Sequence, residues 1–159
     1  MDSGREEKLI RDLHLGGLSG KVRQMGCSAH VEIWVRHRFK CAYCGEDLLK
    51  DVVRLQSAQL DHLLPKNEYP AFKDEQENLV LACFACNQWK RTFDPLDHVR
   101  ALKEKVMAGK ATPGDLVIYR EDLIRICWEK HLKRNFEERK KDLDRWNSII
   151  LASTNQTDI

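Results

Sequence analysis

The chain has 159 residues, 42% of them hydrophobic, enough for one compact unit with room for a helical extension. Its net charge is only +2 although 33% of its residues are charged, so an anionic partner must be met by a local basic patch rather than by the field of the whole molecule. No apolar run approaches membrane-spanning length, and the charged stretch Met1 to Leu13 lacks the apolar core of a secretory signal, so a cytoplasmic protein with no membrane partner is expected.

In chain order, a first helix over Arg5 to Leu13 is broken by Gly16, Gly17 and Gly20. A second is expected after Ser28, where Ile33, Trp34 and Val35 supply apolar contacts and Arg36, His37, Arg38 and Lys40 form a basic cluster leading into Cys41. Between Cys44 and Pro65 helical periodicity gives way to β-branched and alternating residues, and two strands, Val52 to Leu55 and Ala58 to Asp61, are expected to pair as a hairpin. A short helix over Asn87 to Phe93 is stopped by Asp94-Pro95, where Asp94 can cap and Pro95 can open the next helix, which ends at Gly109.

Thr112-Pro113 repeats that start signal. Leu116, Ile124, Trp128, Leu132, Phe136, Leu143, Trp146 and Ile150 then recur at three- and four-residue steps, the pattern of an amphipathic helix or helical hairpin packed on the preceding core. These segments divide the chain into an N-terminal helical segment over 1–28, a core over 29–94, a helical extension over 95–153 and a flexible tail over 154–159.

Six cysteines in a reducing compartment are poor candidates for disulfides, and four of them form two C-x-x-C pairs, Cys41 with Cys44 and Cys83 with Cys86. Each pair can place both sulfurs on one side of a tight turn, and four thiolates make a closed tetrahedral zinc site. Such a metal is structural, because no position is left for water. Iron in the same cage is the alternative, and a thiol redox pair would require one pair free of metal. Cys27 and Cys127, each among apolar neighbours, read as small core residues.

Between the pairs lies Leu60-Asp61-His62-Leu63-Leu64-Pro65; Asn78-Leu79 follows, and directly after Cys86 comes Asn87-Gln88-Trp89-Lys90-Arg91. The string C-x-x-C-G, D-H-x-x-P, N-L-x-x-x-C-x-x-C-N-x-x-K resembles the zinc-ribboned branch of the HNH endonucleases, in order and spacing, over Cys41 to Lys90. The resemblance implies an α+β fold: a ββα-metal (His-Me finger) core over 29–94 with a four-cysteine zinc site, embedded in a mostly helical domain. It implies that His62 is the general base, a role suited to an imidazole that exchanges protons near neutral pH. Asp61 is then a carboxylate metal ligand, and on a strand its side chain would point away from that of His62 unless the chain bends there. Asn87 becomes the second ligand through its side-chain carbonyl, a hard donor suited to magnesium or manganese. Asn78 holds the loop that bears the base.

The function implied is hydrolysis of DNA phosphodiester bonds by a one-metal mechanism, on double-stranded DNA, with structural zinc and catalytic Mg2+ or Mn2+. Lys90 and Arg91, one turn beyond Asn87, are placed to meet the flanking phosphates, and Arg36, Arg38 and Lys40 to extend that track; a solvated basic face is the alternative. The rival function is a non-catalytic zinc-ribbon module that binds nucleic acid or a protein partner, and the joint presence of Asp61, His62 and Asn87 argues against it. Lys130, Lys133, Arg134, Arg139, Lys140 and Lys141 are interleaved with acids and read as a solvated helix face. Trp89 reads as core before base-stacking, and His14, His30, His37, His98 and His131 as surface or core residues.

Overall fold

The computed structural model describes residues 31–154. The helix expected over Arg5 to Leu13 with its glycine break, Cys27, His14 and His30, and the tail beyond Thr154 lie outside the described residues. Among the described residues no helix is long and apolar enough to cross a membrane.

Helix α1 (Val31–Arg36) buries Ile33 and Trp34 and gives way to two left-handed residues, Arg38 at φ 54° and Phe39 at φ 59°. The chain then enters the first cysteine pair, a turn closed by Gly45 N–H donating to the Cys41 carbonyl at 2.9 Å and Cys41 N–H to the Glu46 carbonyl at 2.9 Å. Gly45 sits at φ +76°, a conformation costly for any residue with a Cβ. That is the physical content of the glycine after C-x-x-C.

Val52 to Leu55 is not a strand. Helix α2 (Val52–Ser57) occupies it, because Asp51 caps the segment through a 2.8 Å bond from Arg54 N–H, and the Arg54 guanidinium pairs with both Asp51 and Glu46. Val52 and Val53 are exposed, so their β-propensity has no sheet to serve and the cap decides.

Strand β1 (Gln59–His62) instead pairs antiparallel with β2 (Leu79–Ala82), in the register Gln59↔Ala82, Leu60↔Leu81, Asp61↔Val80 and His62↔Leu79. All four residues of β2 are buried, with alternate side chains serving two apolar groups. Leu79 and Leu81 join Ile33, Trp34, Phe39 and Leu48, whereas Val80 and Ala82 join Leu63, Leu64, Leu96, Leu102 and Leu116.

Helix α3 (Phe84–Lys90) starts three residues before the expected Asn87, because the Cys83 sulfur caps it by accepting from Cys86 N–H at 3.4 Å. It stops at Arg91, φ 47°. Asp94 caps as expected, accepting from Leu96 N–H at 2.9 Å, and Pro95 opens a 3-10 turn over Pro95–His98 ahead of α4 (Arg100–Met107), which ends before Gly109 at φ +67°. Thr112 and Asp115 form a capping box at the start of α5 (Pro113–Cys127).

Helix α5 lays Leu116, Leu123, Ile124 and Cys127 into the core, where burial pushes the Cys127 thiol up to about 12 and keeps it protonated. A π-helical turn, Trp128–Leu132, carries His131, which donates from Nε2 to the Trp89 carbonyl at 2.8 Å and stacks on Phe93 with centroids 4.6 Å apart. Helix α6 (Lys133–Thr154) continues from it.

The apolar stripe beyond Leu132 does not pack on the core. Phe136 meets Trp89 and Trp128 edge-on, but Leu143, Trp146 and Ile150 are exposed. The reason is visible in the chain: no glycine or proline occurs between Gly114 and Thr154, so nothing breaks the helix and folds it back.

Gly45 supplies a direct test of the first turn. An added Cβ meets nothing within 4 Å, so Gly45→Ala should cost only the backbone penalty, about 1 kcal/mol in denaturant melts, with metal content retained.

Candidate active site and metal centre

The turn after α1 and the start of α3 bring the sulfurs of Cys41, Cys44, Cys83 and Cys86 within 4.8 Å of one another, with those of Cys44 and Cys83 3.8 Å apart. Zinc–sulfur bonds of about 2.3 Å place tetrahedral thiolates roughly 3.8 Å apart, so the set can bind zinc. A hydrogen bond fixes the first turn to the sheet, Ala42 N–H donating to the Leu81 carbonyl at 2.8 Å.

A cleft of about 340 Å³ has a lining that includes Asp61, His62, Lys66, Glu68, Asn87 and Arg91. His62 ends β1, and its Nε2 lies 2.9 Å from the Lys73 carbonyl. A carbonyl only accepts, so Nε2 carries the proton in the neutral ring and Nδ1 keeps the lone pair.

Asp61 faces inward yet also lines the cleft. Its Oδ2 accepts from the Tyr43 hydroxyl at 2.5 Å and pairs with Lys90 Nζ at 3.2 Å. Burial pushes its carboxyl up, against the opposing pull of the Lys90 charge and the Tyr43 hydroxyl. Asn87, in the second turn of α3, donates from Nδ2 to Gln59 Oε1, which leaves its carbonyl oxygen as the donor atom for a cation. A carboxylate and an amide oxygen lining one cleft are a donor set that fits a hard divalent ion.

Asn78 is fully buried between the two ends of the segment that follows the base. Its Oδ1 accepts from Leu64 N–H at 2.8 Å, and its Nδ2 donates to the carbonyls of Leu64 at 3.0 Å and Phe72 at 3.2 Å.

The basic track is corrected at its centre. Lys90 is 1% exposed, with Nζ donating to the His62 carbonyl at 2.6 Å, so it cannot meet a phosphate. One turn beyond Asn87 on a seven-residue helix lying against β1, its side chain runs back under the strand. Arg91 is exposed and lines the cleft, whereas Arg38 and Lys40 do not belong to its lining. Arg36 is spent on the fold, donating to the carbonyls of Gln76 and Leu79 at 3.3 Å each.

Trp89 is half-buried against the core. His37 is held down to about 4, by burial first and then by the charges of Arg36 and Arg120, and stays neutral. Sequence reasoning passed over Lys66 and Glu68, whose only signal was adjacency to Pro65, and Tyr43, whose signal was its place inside the first cysteine pair.

Elemental analysis of purified protein should find one zinc per chain, and serine at any of Cys41, Cys44, Cys83 or Cys86 should release it with loss of structure by circular dichroism. Iron in the cage, or a folded metal-free protein, is the contrary outcome.

No curated protein and no solved structure matches the chain. A protein-family model described as HNH endonuclease matches residues 41–93, the segment that holds both cysteine pairs, β1, β2 and α3. The ββα unit and the four-cysteine cluster are both contained in that segment, so residues 41–93 are similar to an HNH endonuclease domain in sequence and in the elements they hold.

Proposed function

We propose that the chain is a divalent-metal-dependent endonuclease that hydrolyses phosphodiester bonds of double-stranded DNA, with His62 as general base. The observation that carries this reading is the His62 ring, held through Nε2 by the Lys73 carbonyl at a cleft it shares with Asp61 and Asn87. An imidazole fixed in that tautomer presents Nδ1 as a proton acceptor, and removal of a proton from water is the chemistry such a group supplies.

Asp61 and Asn87 would hold the divalent ion, magnesium or manganese. Both contacts made by the Asp61 carboxylate use Oδ2, so among the described residues Oδ1 is left for the cation. When bound, the ion stabilises the charge that gathers on the phosphate and the leaving oxygen. Asn78 keeps the base-bearing segment in place by tying Leu64 to Phe72. Lys66 and Arg91, the basic residues of the cleft lining, would face phosphates of the bound strand, in place of the buried Lys90.

His62→Ala should lower cleavage at least about 100-fold while zinc content, fold and DNA binding stay unchanged. Brief chelation should abolish cutting without unfolding, and added Mg2+ or Mn2+ should restore it. Asn87→Ala should raise the metal concentration needed. The substrates to compare are supercoiled, linear and single-stranded DNA, and RNA, with end-group analysis for a 5′-phosphate. A zinc-loaded, folded protein that cuts none of them across several divalent ions is a non-catalytic binding module.

A further inference from the structure

Lys90 is among the largest fully buried side chains of the protein, although a lysine ammonium leaves water only where charged and polar partners offset its desolvation. Its partners are both on β1: the His62 carbonyl at 2.6 Å and Asp61 Oδ2 at 3.2 Å. The same Oδ2 accepts from Tyr43, itself buried, at 2.5 Å. Three elements meet in this cluster. Tyr43 lies between Cys41 and Cys44 in the first cysteine turn, Asp61 and His62 end β1, and Lys90 ends α3 four residues after Cys86.

We propose that Lys90 and Tyr43 are positioning residues for the cleavage reaction, a buried clamp on Asp61 Oδ2 and the His62 carbonyl that aims Asp61 Oδ1 and the His62 ring into the cleft. The proposal rests on the nuclease reading of the same site. Neither residue touches substrate. With Oδ2 fixed by two donors from opposite elements, the carboxylate cannot rotate about its terminal bond, and with the carbonyl fixed, the peptide that follows His62 cannot swing. Without the clamp the strand end keeps its ladder to Leu79 and the His62 ring its bond to the Lys73 carbonyl, but the Asp61 carboxylate is freed to rotate and the His62 carbonyl loses the donor that fixes the ring's approach to the cleft. A displacement of about an ångström in such groups costs on the order of 100-fold in rate.

The test compares Lys90→Met, similar in length without the charge, with Tyr43→Phe, which removes one hydroxyl. Both are made in the full, zinc-loaded chain. Four quantities are read: zinc content with circular dichroism, the affinity for a DNA duplex without divalent ion, kcat at saturating Mn2+, and Mn2+ binding without DNA by the loss of the free-ion electron-spin signal. Partners that orient metal ligands commonly carry about 10- to 100-fold of affinity or activity. Lys90→Met should therefore lose about 100-fold in kcat and Tyr43→Phe about tenfold, with Mn2+ bound about tenfold more weakly by both and duplex affinity unchanged.

Unchanged kcat and Mn2+ binding in a folded Lys90→Met protein would overturn the clamp. So would a loss confined to duplex affinity with a shallower salt dependence, the signature of a phosphate contact. Should Lys90→Met shed zinc or unfold, Tyr43→Phe decides alone, and wild-type values in it reject the proposal. A wild-type protein that cuts nothing fails the nuclease reading, and the Mn2+ measurement still reports whether the clamp aims Asp61.

Discussion

The convergence of four cysteine sulfurs within 4.8 Å is the constraint on which the cleft depends. A two-stranded sheet of four residues per strand and a seven-residue helix are each too small to be stable alone. Ligation of all four thiolates would close the long loop between Cys44 and Cys83 and hold the helix against the strands. Because the Cys83 sulfur also caps α3, the same atom that joins the cage sets where the helix begins. Asn87 follows Cys86 by one residue, so its place over β1 is set by the cage and secured by the bond to Gln59.

Strand β2 distributes that order in two directions. Leu79 and Leu81 anchor α1 and the turn at Phe39, and Val80 and Ala82 anchor the group that contains α5. Any slip of one residue in the β1 to β2 register would exchange these faces and turn Asp61 away from Tyr43 and Lys90. The apolar alternation of four consecutive residues therefore protects the polar cluster beside it. Helix α5 packs into the second group, and the π-helical turn that follows it reaches the last turn of α3 through His131 at the Trp89 carbonyl.

The parts legible in the sequence were those whose signal is chemical or local. Cys41, Cys44, Cys83 and Cys86 were found by spacing, and the caps at Asp94 and Thr112 by composition, because each of these depends on a few neighbouring residues. Leu79 to Ala82 was not read as a strand: buried on both faces, it shows a plain apolar run with no period to distinguish it. Val52 and Val53 misled in the opposite way, since β-branched residues prefer a pleated surface only if a sheet is there to receive them.

In the site, Asp61, His62 and Asn87 do line one cleft, whereas Lys90 was misplaced because a lysine gives no sequence signal of burial. Its partners, Asp61 and the His62 carbonyl, come from a segment far from it in the chain. Leu143, Trp146 and Ile150 carried the right period for a helix, but period says nothing about whether a neighbour exists to cover the stripe.

The two candidate metal sites differ in their donors. The four thiolates form a closed set in which every ligand can be anionic, and such a set holds zinc tightly with no position open to water. On the proposed reading the catalytic ion meets one carboxylate, already partnered at Oδ2 by the Lys90 charge, and one neutral amide oxygen. That pair attracts a divalent cation weakly and leaves most of its coordination positions to water and phosphate, which is what an exchangeable ion in a hydrolytic site requires. Lys90 offsets the cost of burying Asp61 and, on the same reading, holds Oδ2 so that Oδ1 is kept for the ion. A leucine at the same position would pack as well but would leave the carboxylate unpaired in the protein interior, and a lysine facing solvent would leave the strand end without its strap.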